Sequence, residues 1–279
     1  MKKLLSAILS ICVMASTIPA LQFRAQAAEG NTRYIVYEQD MEEQTIEEIL
    51  PTLNKAATAA GYELEQDVDN PDNTVLALVG NGGRFEIHPP KVCTGTEITL
   101  EYRFKFREGT SAQDFELMRA FGGSSPGGTN LIYNSYARNT FYYRDNGGNY
   151  STGKSATPGM WYRYVITLKN LPSETATDKV FDHTVYEQQA DGTEKVLFSY
   201  LNKPITNQNK GFNSFYYLWV DTMNRDNLLF DDFRVYSNNE ADLSEEYRLR
   251  NDRRELSYSD LTDEASDQIA SDLNLPFAG

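Results

Sequence analysis

The sequence predicts an all-β protein in which two antiparallel sheets pack as a jelly-roll sandwich, with a short helix in the N-terminal region and a helical C-terminal extension. Three observations lead to this prediction. Short β-branched and aromatic runs fill the region 34–236, turn residues separate them, and several runs alternate apolar with polar side chains. At 279 residues with 40% hydrophobic content, the chain can bury one sizeable core.

The first 27 residues have the composition of a secretory signal peptide. Lys2 and Lys3 precede an apolar run, and Ala25-Gln-Ala27 supplies a small-x-small cleavage site. We expect the mature chain to begin near Ala28, because serines and threonines dilute the apolar run and disfavour a membrane span. The predicted location is secreted or at a bacterial cell surface, without membrane insertion.

Charge and cysteine content narrow the set of partners. Removal of the signal takes away three basic and no acidic residues, so the net charge changes from −14 to −17. Such a surface repels nucleic acid and suits neutral glycans or divalent cations. Cys93 becomes the single cysteine, so no intramolecular disulfide is possible, and a buried, inert thiol is expected.

Strands and turns follow in order along the chain. Alternation predicts strands over Thr96–Phe106, Tyr162–Leu168 and Phe181–Gln189. Hairpin turns are expected at Asp145-Asn-Gly-Gly-Asn149 and at Asp191-Gly192, since Asn and Gly tolerate the positive φ that these turns require. Neighbouring strands should therefore be antiparallel.

Two helices are predicted, one that interrupts the strands and one that follows the last strand. The first begins at Pro51 and closes at Gly61, and the second begins at the capping box Asp242-Leu-Ser-Glu245 and continues to about Arg254. The domain prediction is a signal peptide at 1–27, a sandwich at 28–238 and a helical linker at 239–279.

The tail Leu261-Thr-Asp-Glu-Ala-Ser-Asp-Gln-Ile-Ala-Ser-Asp-Leu-Asn-Leu-Pro276 resembles the opening of atrophied immunoglobulin-like repeats in large Gram-positive surface proteins and glycoside hydrolases. Such repeats continue for tens of residues beyond this motif, whereas this sequence stops at Gly279. The resemblance implies a truncated repeat, with further domains of the same polypeptide as partners.

Three further segments carry a second resemblance: Tyr37-Glu-Gln-Asp-Met-Glu42, Trp161-Tyr-Arg-Tyr-Val-Ile-Thr-Leu168 and Leu228-Leu-Phe-Asp-Asp-Phe-Arg-Val-Tyr236. Together they resemble the concanavalin A-like lectin/glucanase superfamily, including its laminin-G-like domains. The resemblance implies a two-sheet jelly roll in which the first and last strands lie close together, with a groove on the concave sheet.

The same resemblance implies a structural calcium between the first and closing strands. Carried over by position, Glu38 or Asp40 would meet Asp231 or Asp232, and calcium prefers such oxygen ligands. Strand alternation sends the two adjacent aspartates to opposite faces, which favours Asp232 slightly as the ligand. Solvated carboxylates at a strand edge are the alternative.

The sequence motifs give little support for a catalytic site. Glu38-x-Asp40-x-Glu42 matches the E-x-D-x-E pattern of family 16 glycoside hydrolases, but it lies near the chain start instead of on a central strand. His88 and His183 lack metal-ligand spacing, so structural or surface roles are expected. A second acidic run, Glu63-x-Glu65-x-Asp67-x-Asp69, is interpreted as a solvated strand. The chain is therefore predicted not to be an enzyme.

Aromatic residues are abundant, with 18 Tyr and 14 Phe. Flat rings with polar edges suit stacking on sugars. The predicted carbohydrate-contacting residues are Tyr133, Tyr136, Tyr142, Arg144, Tyr217 and Trp219. The alternative is that these rings fill the sandwich, and Trp161 is expected in the core.

The leading functional hypothesis is a non-catalytic extracellular module that binds a neutral polysaccharide or glycan, within a larger secreted enzyme or surface protein. A structural or adhesive spacer without a sugar site is the alternative. A glycoside hydrolase or polysaccharide lyase is the second alternative.

Overall fold

The computed structural model describes residues 33–42, 44–53, 61–79, 84–110, 114–121, 130–145, 148–171, 178–205, 215, 217–221 and 227–251. Two antiparallel sheets form a sandwich, which confirms the predicted fold class. No helix in these ranges is long and apolar enough to cross a membrane. The predicted signal peptide and immunoglobulin-like tail lie outside the described residues and stay predictions.

The strands are short and follow one another along the chain. In order they are β1 (Tyr34–Gln39), β2 (Tyr62–Gln66), β3 (Thr74–Leu78), β4 (Arg84–Ile87), β5 (Glu97–Phe106), β6 (Phe115–Phe121), β7 (Asn130–Ala137), β8 (Thr140–Asp145), β9 (Gly148–Ser151), β10 (Trp161–Lys169), β11 (Val180–Gln188), β12 (Glu194–Pro204), β13 (Tyr217–Asp221) and β14 (Leu228–Ser237). The three strands predicted from alternation are confirmed as β5, β10 and β11, and the two predicted hairpins join β8 to β9 and β11 to β12.

Sheet A has the spatial order β12-β11-β10-β5-β14-β3-β2, with β1 also paired with β14. Sheet B has the order β4-β13-β6-β7-β8-β9. The first strand therefore lies against the closing strand, as the resemblance implied.

Both helix boundaries differ from prediction. Helix α1 is Ile46–Leu53, so it begins before Pro51, and residues 54–60 of the predicted helix lie outside the described residues. Helix α2 begins at residue 245 and is described as far as residue 251. Its first turn is capped by Ser244, whose hydroxyl accepts from the Tyr247 N–H at 3.3 Å. Asp242 instead accepts from the backbone N–H groups of Thr94 and Gly95, so it joins the closing segment to the residues just before β5.

The core is built largely of aromatic rings from both sheets. Alternation in β5 turns Tyr102, Phe104 and Phe106 inward, where all three are fully buried. The Phe104 ring centroid lies 5.5 Å from Tyr162 in its own sheet and 5.3 Å from Phe115 in the opposite sheet. Such contacts add specific geometry to the apolar area that the rings bury.

Cys93 confirms its predicted role. The side chain is buried, and its backbone pairs with Phe215. Burial raises the pKa of the thiol, with Asp242 adding to the shift. The thiolate, which is the reactive form, is therefore suppressed.

His183 is fully buried on the inner side of β11. Its ring centroid lies 5.0 Å from those of Tyr164 and Phe198. Neither ring nitrogen forms a hydrogen bond with the described residues. Burial without such a partner lowers the pKa of His183 from 6.5 to about 3, because the charged form cannot be solvated. The expected structural role is confirmed.

Replacing His183 with Phe should flatten the pH dependence of stability. Between pH 6.5 and about 3 the unfolded chain binds a proton that the folded His183 does not, so folded stability falls as pH drops below 6.5. The difference in unfolding free energy between variant and wild type should shift by about 2 kcal/mol in favour of the variant from pH 8 to pH 5. Urea denaturation at both pH values measures it. An equal difference at the two pH values would contradict a neutral, buried imidazole.

Candidate functional site

The outward side of sheet A carries a continuous set of charged and aromatic side chains, which we call the polar face. Strand register arranges it in rows across β11, β10, β5, β14 and β1. One row contains Tyr186, Arg163, Arg103 and Asp231. The next contains Thr184, Val165, Glu101, Arg234 and Glu38.

Glu101 lies at the centre of this face. Its carboxylate accepts from the Tyr236 hydroxyl at 2.8 Å and from Arg163 Nη1 at 3.2 Å. Arg234 Nη1 lies 3.9 Å away on the other side. The side chain is 10% exposed, which is low for an outward carboxylate, so these contacts replace its water.

Arg163 extends the network toward β12. Its guanidinium contacts the Glu194 carboxylate with bonds of 2.6 to 3.0 Å and lies 4.2 Å from the centroid of the Tyr186 ring. Charge-assisted pairs of this kind fix side-chain geometry. The row therefore presents a rigid surface of donors, acceptors and one ring.

The closing strand contains a β-bulge that overturns the predicted orientation of Asp231 and Asp232. Asp232 has a φ of 54°, and residues 232 and 233 together occupy the place opposite Tyr102. Both aspartates consequently reach the outward side, where Arg103 is near each of them. Alternation holds only for a regular strand, and a bulge adds one residue.

Asp231 has the most perturbed carboxyl group of the polar face. Its side chain accepts from Asn73 Nδ2 at 3.0 Å and is only 2% exposed. Burial, followed by the charge of Asp232, raises its pKa from 3.8 to about 7. A carboxyl group with a pKa near neutrality can donate or accept a proton under ordinary conditions.

A buried ion cluster covers one end of the polar face. Lys105 Nζ lies 2.7 Å from Asp67 and 2.6 Å from Asp69, and Asp67 also accepts from the Trp161 indole at 2.7 Å. The predicted strand is present as β2, and Glu63 and Asp69 are exposed, but the prediction is wrong for Asp67, which is 4% exposed. Trp161 is buried as expected, but on the outward side against Val75 and Leu229.

A cavity of about 440 Å³ opens at the other end, and we call it the terminal pocket. Its lining residues are Tyr37, Glu38, Gln39, Asp40, Gln44, His88, Pro90, Glu246, Tyr247 and Arg250. Glu38 belongs to both regions, because its carboxylate accepts from Arg234 at 3.0 Å. The pocket is therefore continuous with the polar face.

Helix α2 forms one wall of the terminal pocket and is fixed to β1 by two side chains. The Asn251 amide bonds both backbone groups of Ile35, at 3.0 and 2.8 Å. The Tyr247 hydroxyl bonds both backbone groups of Glu38, at 2.9 and 3.1 Å. These contacts cover the backbone of β1, the strand with which the described chain begins.

The predicted calcium ligands do not fit a calcium ion as they are arranged. Arg234 lies between Glu38 and Asp232 and binds both. Asp231 is directed to Asn73, and Asp40 accepts from the Glu42 N–H. Among the described residues no group of three or more potential metal ligands is found. Calcium binding stays a prediction.

The predicted aromatic contacts divide into three outcomes. Tyr136 is wrong as a contact residue, because it is fully buried and its hydroxyl accepts from the Ala156 N–H. Tyr142 is half-buried in β8 and stays a prediction. The side chains of Tyr133, Arg144, Tyr217 and Trp219 lie outside the described part of the structure.

Comparisons with known proteins give distant likenesses only. No protein-family model matches the chain, and no curated protein matches it. Among solved structures, the marine alginate lyase from Aplysia kurodai is similar, with 11% identity, 72% of this chain and 98% of that chain covered, and a TM-score of 0.49.

Two further structures are similar at the same level. An endo-β-1,4-glucuronan lyase from the fungus Trichoderma reesei has 12% identity, covers 73% of this chain and 95% of its own, and has a TM-score of 0.39. A carbohydrate esterase from the Shiga toxin-encoding bacteriophage phi24B has 15% identity, covers 75% and 100%, and has a TM-score of 0.41. No residue role is transferred from them.

These similar structures are of carbohydrate-active proteins. They also correct one prediction. The chain was expected not to be an enzyme, and that expectation is wrong, because two lyases and an esterase are among the proteins that it is similar to.

Asn251→Asp should loosen the wall of the terminal pocket. An aspartate cannot donate to the Ile35 carbonyl, so one of the two bonds becomes a repulsion. We expect a loss of about 1–2 kcal/mol in unfolding free energy and faster amide hydrogen exchange at Glu38, whose N–H donates to Tyr247 of the same helix. Leu249→Gln, at an exposed position of the same helix, is the control. Unchanged exchange in the Asp variant would show that this contact does not hold β1.

Proposed function

We propose that this chain binds a neutral polysaccharide along the polar face, with one end of the bound glycan in the terminal pocket. The observation that carries the proposal is the continuity of the two regions through Glu38. A surface of fixed polar groups that leads into a cavity suits an extended ligand with a defined end.

The charge pattern favours a neutral glycan over a polyanion. Each arginine in the rows of the polar face already contacts a carboxylate: Arg103 is near Asp232, Arg163 contacts Glu101 and Glu194, and Arg234 contacts Glu38 and Asp232. An additional anion would have to compete with these pairs. Sugar hydroxyls can instead donate to the carboxylates and accept from the guanidinium groups without displacing either.

The terminal pocket has the composition expected of a sugar site. Its volume lies within the range of small-molecule pockets. Tyr37 and Tyr247 form buried aromatic walls, while Asp40, Gln44 and Glu246 are exposed at the rim. Apolar ring surface combined with a few polar groups matches the two kinds of surface on a pyranose.

Two variants test this arrangement separately. Tyr186→Ala removes the ring in the polar face, and Asp40→Ala removes a rim carboxylate of the pocket that forms no ion pair with the described residues. Each should weaken binding of a neutral polysaccharide about five- to tenfold, measured by calorimetric titration over a panel of soluble glycans.

Lys195→Ala is the matched control. Lys195 is exposed on β12, and its partner in the strand register is Glu187, whereas the partner of Tyr186 is Val196. Folding of every variant is checked by thermal melting. If no neutral glycan binds to the folded wild-type protein, the proposal is overturned in favour of a structural spacer. Equal losses in the control and both variants would also contradict it.

Cleavage of the bound glycan is a second candidate function, and Asp231 is the observation that favours it. It combines burial, a neighbouring carboxylate and a pKa of about 7 within the polar face. In this role the ligand would displace Asn73 from the buried carboxyl group, which in its protonated form would then donate to a glycosidic oxygen. Asp232, held by Arg234 at 2.8 Å, would remain beside it as a fixed negative charge.

Asp231→Asn separates this role from a structural one. The amide keeps an acceptor for Asn73 but cannot exchange a proton near neutral pH. Above pH 7 the variant should be more stable than the wild type, because the buried wild-type carboxyl group must be ionised there and an amide need not be. Any release of reducing ends or unsaturated products by the wild type should fall at least about a hundredfold. Retained activity would exclude Asp231 as the proton donor.

A further inference from the structure

Three tyrosine rings connect the open edges of the two sheets, and we call them the tyrosine edge. β9 is the last strand of sheet B, and β12 is the last strand of sheet A. The ring centroid of Tyr143 lies 4.7 Å from that of Tyr200 on β12. The Tyr143 centroid also lies 5.4 Å from that of Tyr150 on β9, with only 21° between the two ring planes.

Tyr150 is the outermost ring of this group. It is 41% exposed, whereas Tyr143 is 7% exposed. The inner ring holds the outer one in place, because their planes are nearly parallel. A tyrosine ring that is supported on one side and open to solvent on the other offers a flat surface on which a pyranose can stack.

Lys203 places a positive charge against the two inner rings of the tyrosine edge. Its Nζ atom lies 5.7 Å from the Tyr143 centroid and 5.5 Å from the Tyr200 centroid. Lys203 forms no ion pair with any described residue, unlike Lys105 and the arginines of the polar face. Its charge is therefore free to pair with an anionic group of a ligand.

We propose that the tyrosine edge is a second saccharide site, which binds an acidic pyranose of the uronic acid type. One ring of the bound chain stacks on Tyr150, and a carboxylate of a neighbouring unit pairs with Lys203; both residues lie within 6 Å of the Tyr143 ring. This ligand differs in charge from the one proposed for the polar face. The two sites use different residues, so the inference does not depend on the proposed function.

The test uses two oligosaccharides of the same linkage, a glucuronic acid tetramer and a glucose tetramer, titrated into the full chain by calorimetry. Wild-type protein should bind the acidic tetramer with measurably higher affinity. Lys203→Met should weaken that binding about tenfold, the value of one charge-assisted contact, and Lys203→Arg should restore most of it. Tyr150→Ala should weaken it as well.

Lys195→Met is the control for a general loss of positive charge, since Lys195 lies on the same strand without contacting the rings. Added salt should reduce binding of the acidic tetramer in wild type and not in Lys203→Met. Equal affinity for both tetramers, or an unaffected Lys203→Met variant of intact fold, overturns the inference.

The same titrations keep the two proposals apart. Tyr186→Ala should leave binding of the acidic tetramer unchanged, because Tyr186 belongs to the polar face. If it abolishes that binding, the acidic sugar binds the polar face and the tyrosine edge is not the site. Binding of the acidic tetramer without binding of any neutral glycan would overturn the proposed function alone.

Discussion

The β-bulge at Asp231 and Asp232 determines which side chains of the closing strand face outward. Before it, Phe230 packs on Tyr102 in the core while Leu229 lies outside with Trp161. After it, Phe233 and Val235 are buried, and Arg234 and Tyr236 face outward. A regular strand would continue the first alternation and turn Arg234 and Tyr236 into the core. One extra residue therefore keeps the charged Arg234 and the polar hydroxyl of Tyr236 out of the core and places them on the polar face.

The polar face in turn depends on this shift in side-chain alternation at the bulge. The Glu101 carboxylate accepts from the Tyr236 hydroxyl and from Arg163. Arg234 donates to Glu38 on the neighbouring strand β1. A carboxylate that is mostly removed from water is costly unless such contacts compensate for its lost hydration. The same strand thus satisfies the centre of the face and connects it to the terminal pocket.

The sequence predicts the fold well because alternation is a local property. The ten residues of β5 alternate without interruption, and the strand is confirmed almost residue for residue. The bulge is not predictable in this way, since an aspartate with positive φ gives no compositional signal beside an ordinary one. The role of Asp67 was also missed, because its partner Lys105 lies 38 positions away and only the fold brings them together.

The aromatic predictions show a related limit. Composition correctly indicated many rings, but it could not tell which side of a strand enters the core, and Tyr136 does so. The tyrosine edge was missed because Tyr143, Tyr150 and Tyr200 come from three strands and meet only where the two sheets end. The sequence does contain a signal for one pair, because Tyr143 and Tyr150 flank the predicted hairpin between β8 and β9.

Asp231 and His183 both lower the free energy of unfolding, but with opposite dependences on pH. Folding raises the pKa of Asp231, so its cost grows as pH rises from 3.8 toward 7, whereas folding lowers the pKa of His183, so its cost grows as pH falls below 6.5. His183 lies among core rings, away from any surface on which a ligand could bind. Asp231 lies in the polar face, and an asparagine could keep its contact with Asn73 without the ionisation cost. A buried carboxyl group that destabilises the fold beside the polar face is what the second proposed function, cleavage of a bound glycan, would require.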